Sequence, residues 1–579
     1  MTTIDLVDAG MKKNVSEFQA LAITVMNAPE SINVNLKSAY EASLQQPTVV
    51  LTDIDTPKLE IETEEAMKVI TNLTGEDVSV ARWAAKVVPS TEDALADVEC
   101  ACEREELLKI VRQASYELIQ REMVNCSAYL TESAEFNCKI ELSVPSQFSK
   151  MAYDTLLHYY STDDEKNSKL YAKSPKTGMP AIRIVCYPDW VNEEWLYWKS
   201  QNSKNEAGEP PRIMMIYDIE TNTGFLLGAK SFSEIRKAIK MFAWNTAIAS
   251  ADALPVNGAA KTISILKGNK KSETTFLTVS DDCSDRSFFG TNIHASDLKT
   301  KNETALVSGN SGLIMLTKIQ GRKKALVNFG ENYFGSIESA VARNKKNLEV
   351  VSAEDIVVAK NENDEKIVIM NPQLSPNGKV HNLFEQAEKD LSLPEYLVFV
   401  VKDELLPPVT LVKDNDLISA LWFTYATECE CCSGTNIIPG GNPNAVWTLS
   451  KELDVFDKAL KKSKFKLIVL NSLYFLNHLG EPAGIDDTIL LSVYTKVAKS
   501  EIRWKEWKML PGFFVPEKST FKDVKKDFDS VFDLQKTANA DFYKDMMRES
   551  IFMKIDYLRE VCAPSSFIAA LHKMSSKLL

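Results

Sequence analysis

Between residues 213 and 370 the strand-length apolar runs come mostly in pairs, and that pairing constrains the fold more than any other feature. The run at 213–219 is followed at once by 224–227, 262–266 by 275–279, 312–317 by 324–327, and 355–358 by 366–370. A crossover between parallel strands needs a dozen or more residues, so runs this close read as hairpins. Helix-length patterns lie among them at 232–243, 337–343, 382–391, 415–426, 451–461 and 486–498, with further strands at 395–401 and 466–469. Hairpins mixed with helices predict an α+β fold, not a doubly wound one.

The same reading divides the chain. Residues 1–60 are expected as an N-terminal arm carrying a short helix over 15–26, with Phe18, Ala22 and Val25 on one side. Its apolar content favours docking over simple solvation. Residues 61–201 are expected as a smaller helix-rich α+β domain. There Ser90 caps a helix with Asp93 three residues on. A second helix covers 103–126, and strands at 139–144 and 182–187 flank a helix near 148–160. Trp195 and Trp198 share a helical face further on. The polar stretch 202–211, with Gly208 and Pro210-Pro211, cannot extend a helix and reads as the main linker. A larger α+β domain over 212–516 and a helical tail over 517–579 complete the plan.

Charge and cysteine usage narrow the function classes. With 67 Lys and Arg against 80 Asp and Glu, the net charge is −13, which disfavours broad phosphate binding and hence direct contact with nucleic acid. No run approaches the ~20 apolar residues of a membrane span. Asp5 and Asp8 interrupt the first apolar run, so no signal peptide is expected. Ten cysteines without one point to a reducing compartment, and a soluble protein of the cytoplasm is predicted.

The sharpest local string is Met215-Ile216-Tyr217-Asp218-Ile219-Glu220-Thr221. It resembles the first motif of DEDD-type proofreading exonucleases, in which Asp-x-Glu at a strand end supplies carboxylates to paired Mg²⁺ ions. Two further aspartate motifs are required and do not appear: Phe456-Asp457 lacks its Asn, and His381 and His478 are misspaced. The competing reading is a hairpin turn at Asn222-Thr223-Gly224, with Asp218 and Glu220 on the solvent face of the strand. Cys429-Glu430-Cys431-Cys432 has no second ligand pair for zinc, so buried thiols at a helix end are expected and no metal. Cys100 and Cys102 sit two apart in a helical region and cannot chelate together. The loops 307–312 and 438–444 lack the Lys-Ser/Thr of a phosphate-binding loop. The five His are scattered, and the basic turns 267–271 and 322–324 read as solvated hairpin tips. No catalytic, cofactor or metal residue is expected.

In layout the chain resembles the chimallin family, shell proteins with which nucleus-forming jumbo phages enclose their replicating DNA. The likeness is architectural: a docking N-terminal arm, a small α+β domain, a linker near residue 205, a larger α+β domain and amphipathic C-terminal pieces. In that family the larger domain resembles an acetyltransferase. The pyrophosphate-binding turn of acetyltransferases is absent here, Gln320-Gly321-Arg322-Lys323-Lys324-Ala325 being the nearest string. The resemblance implies a non-enzymatic, self-assembling viral structural protein. Its partners would be copies of itself, through both termini, and other phage proteins.

The tail fits such a role. Phe567, Leu571, Met574 and Leu578 recur at helical spacing, with Lys573 and Lys577 between them. A helix this short gains stability by burying its stripe. It can do so against its own body or against a neighbour, and the joint Ala563-Pro564-Ser565-Ser566 suits the second. These four residues are the expected oligomerisation contacts. Loss of 563–579 is expected to leave a folded but smaller or monomeric species.

Overall fold

The computed structural model describes residues 16–43, 83–87, 104–191, 214–280, 289, 303–326, 357–369, 391–437, 455–457, 465–521 and 540–578, less short stretches within these spans. Helices and mixed sheets divide between two compact units. The first comprises 1–251, 344–383 and 444–448, the second 252–343, 384–443 and 449–579.

In chain order the first unit contains α1 (Glu17–Met26), β1 (Ser31–Asn33), α2 (Leu36–Ser43), β2 (Trp83–Val87), α3 (Arg104–Leu118), β3 (Met123–Tyr129) and β4 (Lys139–Pro145). It continues with α4 (Ser149–His158), β5 (Tyr160–Ser161), α5 (Glu165–Lys173), β6 (Ile182–Tyr187), β7 (Met214–Asp218), β8 (Thr223–Leu227) and α6 (Phe232–Ser250). One mixed sheet runs β1-β3-β4-β6-β8-β7-β2, with β5 beside β3. The strands β4, β6 and β8 are mutually parallel, whereas β7 returns antiparallel to β8.

Alternation along these strands sends side chains to two faces, and helices cover both. On one face Phe18 and Leu21 of α1 and Val111 and Leu118 of α3 pack on Val185, Ile216 and Phe225. The Phe18 and Phe225 rings meet edge-on at 5.1 Å. On the other face Phe242 of α6 packs edge-on against Tyr217 at 5.5 Å. Gly224 permits that approach, since a Cβ there would lie 3.1 Å from Phe242 and 3.2 Å from Tyr217.

Three expectations need correction. Residues 17–26 are no arm: α1 starts at its Ser16 cap and buries Phe18, Leu21, Ala22 and Val25 in the core. The stretch 202–211 is not the boundary between units, because β7 and β8 join the same sheet as β6. Pro, Gly and polar residues disfavour regular structure within a unit as much as between units, so composition alone does not place a boundary. Finally, α3 stops at Leu118 and β3 begins at Met123, so the expected helix to 126 is two elements. Met123 and Val124 follow Leu118 and Ile119 closely enough to prolong the apolar pattern of α3, so periodicity does not mark the break between them.

The second unit begins with β9 (Ala253–Asn257), β10 (Ala259–Lys267), β11 (Lys270–Val279), β12 (Glu303–Val307), β13 (Leu313–Ile319) and β14 (Arg322–Leu326). A hairpin of β15 (Val357–Lys360) and β16 (Lys366–Ile369) belongs to the first unit. The second resumes with β17 (Leu391–Ser392), β18 (Tyr396–Val401), β19 (Val409–Val412), α7 (Asn415–Thr424), β20 (Ala426–Glu428), β21 (Thr435–Ile437) and β22 (Lys466–Asn471). After β23 (Phe475–Leu476) and β24 (Pro482–Ala483) come α8 (Asp487–Ala498), β25 (Trp504–Glu506), β26 (Phe513–Pro516), α9 (Ala540–Glu560) and α10 (Ser565–Ser575).

Its principal sheet runs β12-β10-β11-β18-β22-β19-β26-β25, and a smaller one runs β17-β14-β13-β9. The principal sheet is parallel only across β11, β18 and β22; its flanks are antiparallel, as paired strand runs require. Tyr494 of α8 packs on Phe276 at 5.1 Å, and Trp422 of α7 packs on Phe399 at 5.0 Å. Phe276 and Phe399 lie on opposite faces by register, so this sheet is also covered on both sides. Beneath α8 the fully buried Lys261 donates to the Phe289 carbonyl at 2.7 Å and lies 3.8 Å from the Tyr494 ring centroid.

Candidate functional site

Asp218 closes β7, paired with Thr223 across a tight turn. The turn needs one left-handed residue, and Asn222 takes it at φ 50°, a conformation Asn tolerates better than most side chains. Asn222 is itself held: its Nδ2 donates to the Pro180 carbonyl and to Thr246 Oγ1, and Asn245 Nδ2 donates to its Oδ1 at 2.8 Å.

Asp218 is 4% exposed and accepts three hydrogen bonds. Oδ1 takes the Glu220 backbone N–H at 3.1 Å, and Oδ2 takes Ser16 Oγ and Thr221 Oγ1, both at 2.8 Å. Ser16 also caps α1 by accepting from Gln19 N–H. The carboxylate thus ties the hairpin turn to the start of α1. Glu220 lies beyond the last residue of β7 and is exposed. Strand alternation therefore does not bring the two carboxylates to one side, and the expectation that both face solvent fails for Asp218. The donors that an Asp218–metal bond would displace are already in place. Among the described residues no group of three or more His, Cys, Asp or Glu could hold a metal ion.

The other motifs are placed unevenly. Cys429, Cys431 and Cys432, residues 438–444 and 308–312, Cys100 and Cys102, Trp195 and Trp198, and the Ser90 cap lie outside the described residues, as do His294, His381 and His478. Cys126, Cys138 and Cys186 are buried and free, and desolvation pushes the first two thiols up to about 12 and raises the third as well. Such thiols are inert. Only Cys562 is exposed among the described cysteines.

A polar cluster that spacing did not reveal sits where β6 ends. Tyr187 donates to Glu117 Oε2 at 2.8 Å and accepts from Arg121 Nη2 at 2.8 Å. Arg121 also reaches Asp189 at 2.8 Å, and Gln147 Nε2 donates to the same carboxylate. Burial, with the Glu117 hydrogen bond, pushes the Tyr187 hydroxyl up to about 12. These bonds fix α3 to the end of β6.

The predicted tail residues are brought together. Phe567, Leu571, Met574 and Leu578 are all at most 4% exposed. They are buried within the chain itself, where α10 packs on α7 and α9. The inner face of α9 supplies Tyr543, Met547, Ile551, Ile555 and Leu558. Arg548 Nη2 donates to the Leu578 carbonyl at 2.8 Å, and Arg559 meets His572 at 3.1 Å. Beside α9, where Leu421 of α7 and Met574 of α10 approach it, a cavity of about 30 Å³ is lined by apolar residues together with Asp403, Ser550 and Lys554. Burial lowers the Lys554 pKa, opposed by the Asp403 charge.

The outer face of α9 is different. Phe542, Phe552 and Met553 are 59%, 43% and 61% exposed. No protein-family model matches the chain, and no curated protein shows significant similarity to it.

Proposed function

We propose that this chain is a self-assembling structural subunit that builds a shell or lattice, of the kind with which nucleus-forming phages enclose and protect replicating DNA in the host cytoplasm. The observation that carries this reading is the two-faced helical pair α9–α10. Its inner face completes the core of the second unit, and its outer face exposes Phe542, Phe552 and Met553. An intracellular subunit that keeps such a surface open has a use for it, and copies of the same chain are the partners always present.

The Phe567–Leu578 stripe adds a second route. The seat that receives it is identical in every copy, so the pair can be exchanged between neighbours without any new contact being invented. Many such links, each weak, sum through multivalency in a lattice. The reading needs no cofactor, no metal, no nucleic-acid contact and no membrane. It leaves room for other phage proteins on the finished surface. An exonuclease reading has less support, since Asp218 is buried and engaged by three donors while Glu220 is exposed beyond the end of β7.

Light scattering after size exclusion, with electron microscopy of the eluted peak, tests the proposal. Species several times the 64.8 kDa of one chain are expected. A monomer at every concentration would remove the assembly reading. Mg²⁺-dependent cleavage of DNA that disappears in Asp218→Ala would install the enzymatic one.

A further inference from the structure

The outer stripe of α9 carries a charge pattern as well as apolar groups. Positions at three- and four-residue spacing from Phe542 bring Asp545, Met546, Glu549, Phe552, Met553 and Asp556 to one side of the helix. Carboxylates alternate with large apolar groups there, and the bases of this helix fall to the flanks, where Arg548 and Arg559 pair with Asp545 and Asp556. Glu549 sits at the centre of the stripe and is exposed. Of the three carboxylates Glu549 alone has no ion pair among the described residues, so a ligand that offers a cation beside an apolar group suits this face.

The β10–β11 hairpin of the same unit offers that combination. The last turn of the ribbon projects: residues 270–273 are exposed, whereas 274–279 are buried. Its register sets Leu266 opposite Lys271, on one face, with Lys270 one residue away at the tip. Leu266 is 40% exposed, although it is a large aliphatic group at the end of a two-residue hairpin. The Lys271 side chain is 61% exposed and pairs laterally with Glu273 at 2.6 Å. Among the described residues both the tip and the stripe are exposed.

We infer that the Leu266–Lys270–Lys271 hairpin tip of one copy docks on the Phe542–Glu549–Met553 stripe of α9 in a second copy. The inference rests on the reading of the chain as a self-assembling subunit and supplies one of its contacts. Charge complementarity selects this occupant. A chain of net charge −13 repels its copies unless a local basic feature meets a local acidic one. The tip and the stripe are unlike surfaces, so the contact is heterologous and propagates from copy to copy, as a lattice requires. Cations near the stripe carboxylates also make association weaken as salt rises.

The experiment uses the full-length chain and sedimentation velocity over a range of concentrations. Lys270→Glu with Lys271→Glu reverses the tip, and Asp545→Lys with Glu549→Lys reverses the stripe. All four positions are exposed, and circular dichroism melts establish that both variants fold. Each variant alone is expected to associate at least about tenfold more weakly than wild type, since like charges now face each other. Mixing the two is expected to restore large species, because each tip then meets a stripe of opposite sign. The variant carrying all four changes is expected to associate by itself. If wild type associates and either reversal leaves it unaffected, this contact is wrong while the assembly reading stands. Loss in both variants without recovery on mixing also overturns it, and points to a different partner for one of the surfaces. A wild-type chain that stays monomeric removes the assembly reading and this contact together.

Discussion

A buried carboxylate that accepts three hydrogen bonds is costly to truncate, because its donors lose their acceptor. Asp218→Ala removes the acceptor of Ser16 Oγ, Thr221 Oγ1 and the Glu220 N–H. A loss of about 1–3 kcal/mol is expected in urea denaturation, with assembly otherwise intact. Glu220→Ala, at an exposed turn position, is expected to change stability by no more than about 0.5 kcal/mol. Equal, catalytic-scale effects of both changes on a nuclease assay would contradict this asymmetry. The sequence showed the Asp-x-Glu spacing and the hairpin turn around it. It did not show the burial of Asp218, which depends on Ser16, 202 positions away. At Cys562 the backbone shows the opposite kind of tension. Cys562 N–H bonds the Arg559 carbonyl and Ala563 N–H bonds the Leu558 carbonyl, the paired bonds of a Schellman motif. The left-handed position of that motif, φ 53°, is filled by Cys562, where glycine is the usual occupant. Cys562→Gly is therefore expected to stabilise the chain by about 0.5–1 kcal/mol, read from the shift in urea midpoint.

Among the elements, α10 depends most on its packing. It has no side-chain cap at its start and spans only Ser565–Ser575, so it holds its shape by burying its stripe against α7 and α9. Each fully buried large apolar side chain contributes about 1.5–3 kcal/mol. Leu571, fully buried, is expected to cost about 2–5 kcal/mol on truncation to Ala. Exposed Met553→Ala is expected to leave stability nearly unchanged and to weaken association. Denaturation and sedimentation of the same two variants separate the roles, and a Met553→Ala chain that melts like Leu571→Ala would show the outer face to be core. Periodicity made both helices legible, because the stripe at 567–578 and the inner stripe of α9 repeat at three and four. It did not reveal whose surface receives the stripe, since a helix buries an apolar face equally well on its own chain or on another. The outer face of α9 was harder still to read, because carboxylates interrupt its apolar groups and dilute the pattern on which such reading depends.

At the scale of the whole molecule, titration links the buried groups to pH. Burial raises the thiols of Cys126 and Cys138 from the usual 9.0 to about 12, and the Tyr187 hydroxyl from 10.0 to about 12. Burial raises Tyr494 of the second unit as well. All four are acids held in the neutral form by the fold. Between their unfolded and folded pKa values the unfolded chain has released protons that the native chain still holds. Stability then falls as pH rises, because the unfolded state binds fewer protons. The contribution is fully present below pH about 9 and is lost progressively toward about 12. Denaturant midpoints measured from pH 8 to 11 are expected to decline. Cys126→Ala is expected to flatten the early part of that decline, and Tyr187→Phe the part above about pH 10. The polar cluster around Tyr187 joins α3 to the end of β6 across 70 residues of sequence, so the phenylalanine variant also starts from a lower stability at neutral pH. A thiol-reactive probe supplies an independent reading: Cys562 is expected to label at pH 8, whereas Cys126, Cys138 and Cys186 label only as the first unit opens at higher pH. If the buried thiols react at pH 8 at the rate of Cys562, the first unit is not held closed by the core that α1, α3 and β6–β8 build.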